Sequence, residues 1–221
     1  MNEVTFFLHI FSLLLFILLA LRLGKEALIG CLAIQIILGN LFVLKQMECF
    51  GLQITCTDVY TIGSLLTMNL LQSIFGIQLA RKTLLTLFFL LFLVMIMSQF
   101  QLYYTPSAYD RHHGAFQAIL ETAPRIMLFS TLSALITQKI DLECFRLIRK
   151  RRSMMTSFTL SSLISQGFDT LFFSYTALYG MFHSMRDLIL MSYLVKIIII
   201  AAVAPFTLLA KRWIRDEPLQ V

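Results

Sequence analysis

Seven stretches of about twenty apolar residues dominate the chain, and little else in it constrains the fold as strongly. They run roughly over 4–22, 26–45, 58–79, 83–104, 116–138, 157–180 and 187–210. Each matches the ~20 helical residues needed to cross a ~30 Å hydrocarbon core. Only helices and closed barrels satisfy their backbone in lipid, and runs of this length select helices. The expectation is an all-α integral membrane protein of about seven transmembrane helices, forming one polytopic domain over 1–221. The first stretch, Val4 to Leu21, is read as a span and not a signal peptide. It has no basic segment before it, and no small-residue cleavage site precedes Arg22.

Composition excludes the main competitors. Hydrophobic residues make up 58% of the chain and charged residues only 14%, against about 45–50% and about 25% in soluble domains. A free-standing soluble enzyme is therefore excluded. The net charge of +6 does not indicate nucleic acid, because the basic residues sit in short runs between the apolar stretches. There they orient a membrane protein. The loops after spans one, three and five, with the C-terminal tail, hold thirteen of the eighteen Lys and Arg residues, while the opposite loops hold Lys45, Arg111 and Arg186. The positive-inside rule then places the N-terminus outside and the C-terminus in the cytoplasm. The run Arg149–Arg152 reads as a headgroup anchor.

Chemistry is concentrated in polar residues inside the spans. An ionisable group at bilayer depth costs at least ~2.5 kcal/mol, and such groups face a bundle interior or a wet cavity. Arg125, Asp169 and Lys196 lie on three different spans, roughly 12–16 Å below the outer surface at the helical rise. Asp169 can pair with either cation, and two cations against one acid leave positive charge to be met by a ligand or coupling ion. Asp58, Leu65, Asn69, Gln72 and Gly76 recur at helical spacing on one face of span three. Asn40 adds an amide from span two, and Ser162, Gln166, Asp169 and Phe173, with Thr170 beside them, form a stripe on span six. Taken singly, such residues usually make interhelical hydrogen bonds. Converging from five helices, they describe a polar pocket for a small solute entering from outside.

Enzymatic signatures are missing. The chain has no P-loop, no His-Glu-x-x-His and no Gly-x-Ser-x-Gly. It is therefore read as a non-enzyme with no cofactor. Asp110-Arg111-His112-His113 reads as a solvated outer loop and not a metal site. Cys49 and Cys56 share an outer loop and can form a disulfide in an oxidising compartment, while Cys31 and Cys144 are expected to be free thiols.

The run Asn69-Leu-Leu-Gln-Ser-Ile-Phe-Gly76-Ile-Gln-Leu-Ala-Arg81-Lys82 is similar to a signature of the queuosine precursor transporters, a family of vitamin uptake transporters. Asn40, Arg125, Gln138-Lys-Ile-Asp141, Ser165-Gln-Gly-Phe-Asp169-Thr170 and Lys196 with Pro205 match in the same order. The resemblance implies a six-helix core over 26–210, like the substrate-binding subunits of energy-coupling-factor transporters. To it this chain adds an N-terminal span at 4–22 and a cytoplasmic tail at 211–221. It also implies inner-membrane uptake of 7-deazaguanines such as queuine, 7-cyano-7-deazaguanine or 7-aminomethyl-7-deazaguanine, salvaged for tRNA modification. The alternative is a substrate-binding subunit of an ATP-driven vitamin or nucleobase importer that needs a separate energising module. Homo-oligomers and energising subunits both stay open as partners.

Asn69 stands where many family members carry Asp, which removes a counter-ion for an aminomethyl cation. The expected binding residues are Asp169, Arg125, Lys196, Asn69, Asn40, Gln72, Gln166, Thr170 and Phe173. Asp169 is expected to accept the N1–H and 2-amino donors of the base. Phe172, Phe173 and Tyr175 supply candidate stacking surface.

Overall fold

A computed structural model describes residues 2–42, 45–49, 52–55, 57–120, 124–177 and 185–208. Among them the chain forms eight helices and one small hairpin. These are α1 (Asn2–Leu23), α2 (Lys25–Leu41), β1 (Gln46–Cys49), β2 (Leu52–Thr55), α3 (Thr57–Phe75), α4 (Ile77–Tyr103), α5 (His113–Leu120), α6 (Pro124–Arg149), α7 (Met154–Ala177) and α8 (Met185–Val203).

The bundle is built around α3, which packs against α1, α2, α4, α6, α7 and α8. Its residues are buried without a break from Ile62 to Gln72, so polar side chains on any of its faces end up inside. On α1, the residues Phe6, Ile10, Leu14, Ile17, Leu18 and Leu21 form the inward stripe at helical spacing. Gly63 makes the close approach of these helices possible: a Cβ there would lie 2.6 Å from Leu13 Cδ2 and 2.8 Å from Gln35 Oε1. The missing side chain thus lets α1 and α2 close on the central helix.

The outer surface is apolar and the interior is partly polar, the reverse of a soluble globule. Phe7, Phe11 and Phe16 on α1 and Phe88, Phe89, Phe92 and Phe100 on α4 are exposed. Thr67, Asn69, Ser133, Asp141, Ser165, Gln166 and Lys196 are buried. Lipid as the surrounding solvent accounts for both facts. Two helices, α1 and α4, are long and apolar enough to cross a membrane on composition alone. The helices α3, α6 and α7 are diluted by the polar residues that they turn inward.

The structure corrects several sequence expectations. Gly76 ends α3 instead of lining its face: it sits at φ 91° and ψ 161°, a region open essentially to glycine alone. Gly24 does the same between α1 and α2 at φ 109° and ψ −175°. Each of these two helical pairs is therefore joined by one residue, and Arg81 and Lys82 belong to α4 and not to a loop. Over the fifth span the described residues form α5 and α6. Helix α6 runs on to Arg149, so most of the stretch expected as a loop at 139–157 is helical. Its turn into α7 is capped by Ser153, whose Oγ accepts a hydrogen bond from the Thr156 amide at 3.2 Å. The connection after α2 contains the antiparallel hairpin, with Met47 opposite Ile54; β1 meets α1 and β2 meets α8. Cys56 and the tail 211–221 lie outside the described residues, as does the side chain of Cys49. Cys31 and Cys144 are free thiols as expected.

Candidate functional site

Two polar networks lie in the bundle between α3, α6, α7 and α8. The first is built around an ion pair. Lys196 Nζ on α8 donates to Asp169 Oδ2 on α7 at 2.6 Å and to Thr170 Oγ1 at 3.2 Å, and it lies 4.0 Å from Asp58 Oδ1 on α3. The other oxygen of Asp169 accepts from Ser133 Oγ at 2.6 Å and from Thr137 Oγ1 at 3.3 Å, both on α6. Four helices are thus tied together at one level. A buried pair survives desolvation only when its remaining lone pairs and protons are also satisfied, and this one meets that condition.

The second network centres on Asp141, which has no exposed surface. Asn69 Nδ2 donates to its Oδ2 at 2.7 Å, and Ser165 Oγ donates to its Oδ1 at 3.3 Å. Its position follows from α6. Ser133, Thr137 and Asp141 recur every four residues and so share one helical face, against which α7 presents Ser165 and Asp169, also four residues apart. The two networks are consequently one helical turn apart, about 6 Å along the axis.

Gln166 lies between them on α7. It is fully buried, and neither Oε1 nor Nε2 has a hydrogen-bond partner. Asn69 Oδ1, Gln72 Oε1 and Ser162 Oγ are likewise buried without a partner. Buried polar atoms are rarely left in this state, and these four residues leave donors and acceptors open to a polar solute.

Of the expected binding residues, the structure brings Asp169, Lys196 and Thr170 into the first network, Asn69 into the second, and Gln166 between them. Gln72 is buried one turn beyond Asn69 on α3. Phe173 is half-buried one turn beyond Asp169 on α7. Asn40 donates to the Ile36 carbonyl of its own helix at 2.9 Å. Arg125 opens α6, but its side chain lies outside the described residues. Tyr175 is exposed on the bundle exterior, and Phe172 stacks on Phe168 with ring centroids 5.7 Å apart, so neither adds a free face to the site.

Among the described residues, three interior acids, Asp58, Asp141 and Asp169, stand against one buried cation, Lys196; the side chain of the second expected cation, Arg125, lies outside them. Asp169 already accepts from three donors, Lys196, Ser133 and Thr137. Asp141 falls in the stretch 139–157 expected as a cytoplasmic loop, yet it is one of the most buried polar residues. An acid introduced at position 69 would meet Asp141 before any solute, and two carboxylates that close ionise together only at high cost.

An apolar shell around a satisfied ion pair, with open amides beside it, defines a helical membrane protein with a desolvated polar interior. The family model described as "Putative vitamin uptake transporter" matches residues 58–210, and the chain belongs to this family of membrane transporters. The matched region contains both networks and leaves out α1 and α2. The chain is also similar to the "Probable queuosine precursor transporter" of Bacillus subtilis (strain 168), with 25% identity over 222 residues, covering 98% of this chain and 97% of the relative. No solved structure matches the chain.

Proposed function

We propose that this protein takes up queuosine precursors, 7-deazaguanine bases, and holds them at Gln166 between the two networks. The carrying observation is the Gln166 side chain, fully buried with both amide atoms unpartnered. A primary amide offers one acceptor and two donors. These complement the lactam edge of a 7-deazaguanine, whose carbonyl accepts and whose N1–H donates. Asn69 Oδ1 and Gln72 Oε1, also buried without a partner, would take further donors such as the 2-amino group. The ion pair of Lys196 and Asp169 then frames the site, and Asp58 is the acid nearest to the α3 end for the amine of queuine or of the aminomethyl compound. The name of the Bacillus subtilis relative supports the same substrate class.

Uptake of labelled queuine, 7-cyano-7-deazaguanine and 7-aminomethyl-7-deazaguanine, into a host that can neither make nor import them, tests this reading. Expression of this chain is expected to restore uptake of at least one. Failure of all three with verified membrane expression would overturn it.

In this reading the core is formed by the six longer helices after α1, namely α2–α4 and α6–α8, and it lies in the inner membrane with the N-terminus outside. The turn between α6 and α7 carries Lys150, Arg151 and Arg152, all exposed, and faces the cytoplasm. Because Ser153 caps α7, Arg151 is the better site for a probe. A cysteine at Arg151, in a variant without the native cysteines, is expected to resist membrane-impermeant thiol reagents in intact cells and to react after permeabilisation. Rapid labelling of intact cells would invert the topology.

A further inference from the structure

We propose that Asp141 is a proton-binding site that couples solute movement to the proton gradient, and that Asn69 passes its state to the solute. The proposal rests on the transport reading above and adds the energy source to it.

Asp141 is the one buried acid with no ion-pair partner among the described residues. The charged and titratable groups on the elements packed against it are engaged elsewhere or lie at a distance. On α4, Arg81 is bound to Glu143 at 2.6 Å, and Lys82 follows it in the same turn. On α6 itself, Arg146 is held by Glu143 at 2.6 Å, Cys144 is a free thiol and Lys139 is exposed. On α7, Asp169 is paired with Lys196 of α8. On α3 the sole acid, Asp58, is eleven residues from Asn69, about 16 Å along the helix. On α2, Lys25 and Glu26 face each other at 3.9 Å, and Cys31 is a free thiol. The groups that hold the Asp141 carboxylate, Asn69, Ser165 and Ser161, are all neutral.

The Asn69 contact accommodates either protonation state. Its 2.7 Å length suits an O–H···O bond as well as an N–H···O bond, and amide nitrogen and oxygen occupy interchangeable positions. With Asp141 ionised, Asn69 donates its N–H to the carboxylate and leaves Oδ1 open, as in this structure. With Asp141 protonated, the flipped amide accepts the acid O–H and leaves its NH2 open. Each arrangement makes one bond and leaves one amide atom unpartnered, so hydrogen-bond count favours neither. The proton on Asp141 decides which group Asn69 presents to the solute: an acceptor when the proton is absent, a donor when it is present. In transport, the carboxylate gains a proton from the outer side and releases it to the cytoplasm, and solute affinity changes with it.

Purified full-length protein in lightly buffered proteoliposomes tests the coupling. Adding a transported 7-deazaguanine is expected to alkalinise the outer medium. An inward proton gradient should drive accumulation of the solute, and an inward sodium gradient should not. In Asp141→Asn, which cannot titrate, the alkalinisation and gradient-driven accumulation disappear, and solute exchange loses the pH dependence seen in the wild type. Net solute uptake by the wild type without proton movement, or accumulation driven by sodium alone, would overturn the proposal. So would proton-coupled accumulation by Asp141→Asn. The wild-type proton measurement decides the matter if the variant does not assemble. Absence of wild-type counterflow would instead count against the transport reading itself.

Discussion

Replacement of Lys196 by methionine is expected to abolish uptake and to lower stability by about 3–5 kcal/mol, the usual cost of stripping one partner from a buried ion pair. The side chain is 6% exposed and serves two acids, Asp169 at 2.6 Å and Asp58 at 4.0 Å. Removing it leaves both carboxylates in a low-dielectric interior with no cation among the described residues. Asp169→Asn should be milder in stability, because Lys196 keeps Asp58 nearby and the new amide oxygen still accepts from Ser133. Uptake should nevertheless be lost, since the amide cannot hold the ammonium at the same level. The double variant Lys196→Met, Asp169→Asn should be more stable than Lys196→Met alone and equally inactive. Thermal unfolding in detergent beside uptake in cells separates the two effects. Additive stability losses would show that the pair does not act as a unit.

Gln166→Leu is expected to act in the opposite sense on stability. A buried amide with no partner carries its full desolvation cost, about 1–3 kcal/mol, and leucine of similar volume carries none. The variant should therefore unfold at a temperature equal to or above that of the wild type. Uptake should fall by about tenfold to a hundredfold, as expected for losing one or two hydrogen bonds to a desolvated solute at about 1.5 kcal/mol each. Normal uptake by a stabilised Gln166→Leu would remove this residue from the solute site. A destabilised variant would show that Gln166 has a structural partner.

The two kinds of residue are not equally legible in the sequence. The ion pair is, in outline: Asp169 and Lys196 are too costly at membrane depth to stand alone, and their distances from the span ends put them at one level. Asp58 is visible at the end of span three, but its approach to Lys196 depends on how α3 and α8 pack, which no local pattern encodes. Asp141 escapes notice because Lys139, Glu143 and Arg146 make its surroundings look like a polar loop. A signal is nevertheless present. Thr137, Gln138, Asp141, Leu142 and Phe145 are all buried and recur at helical spacing, with the charges falling between them. The alternation of Met47, Leu52 and Ile54 around Phe50-Gly51 similarly marks the hairpin, although a scan for membrane spans passes over it. Spacing alone assigns Gly76 to a helical face, whereas its backbone conformation makes it the end of the helix.

The one-residue joints at Gly24 and Gly76 bear on how the chain enters the bilayer during synthesis. A helix tethered to its neighbour by a single glycine has no slack to wait in the headgroup region while the other crosses. Each pair must partition as a unit. The first pair contains α1 and the second contains α4, the two helices with the highest apolar character, at mean hydropathies of 2.7 and 2.3. On insertion scales each Leu, Ile or Phe at the helix centre favours partitioning by about 0.3–0.6 kcal/mol. The exposed phenylalanines and leucines of α4 therefore carry α3, with Asp58, Asn69 and Gln72, across the interface. The most lipid-loving helix of the second pair is in this sense the vehicle for the most polar one, and the half of the site on α3 reaches the membrane already paired.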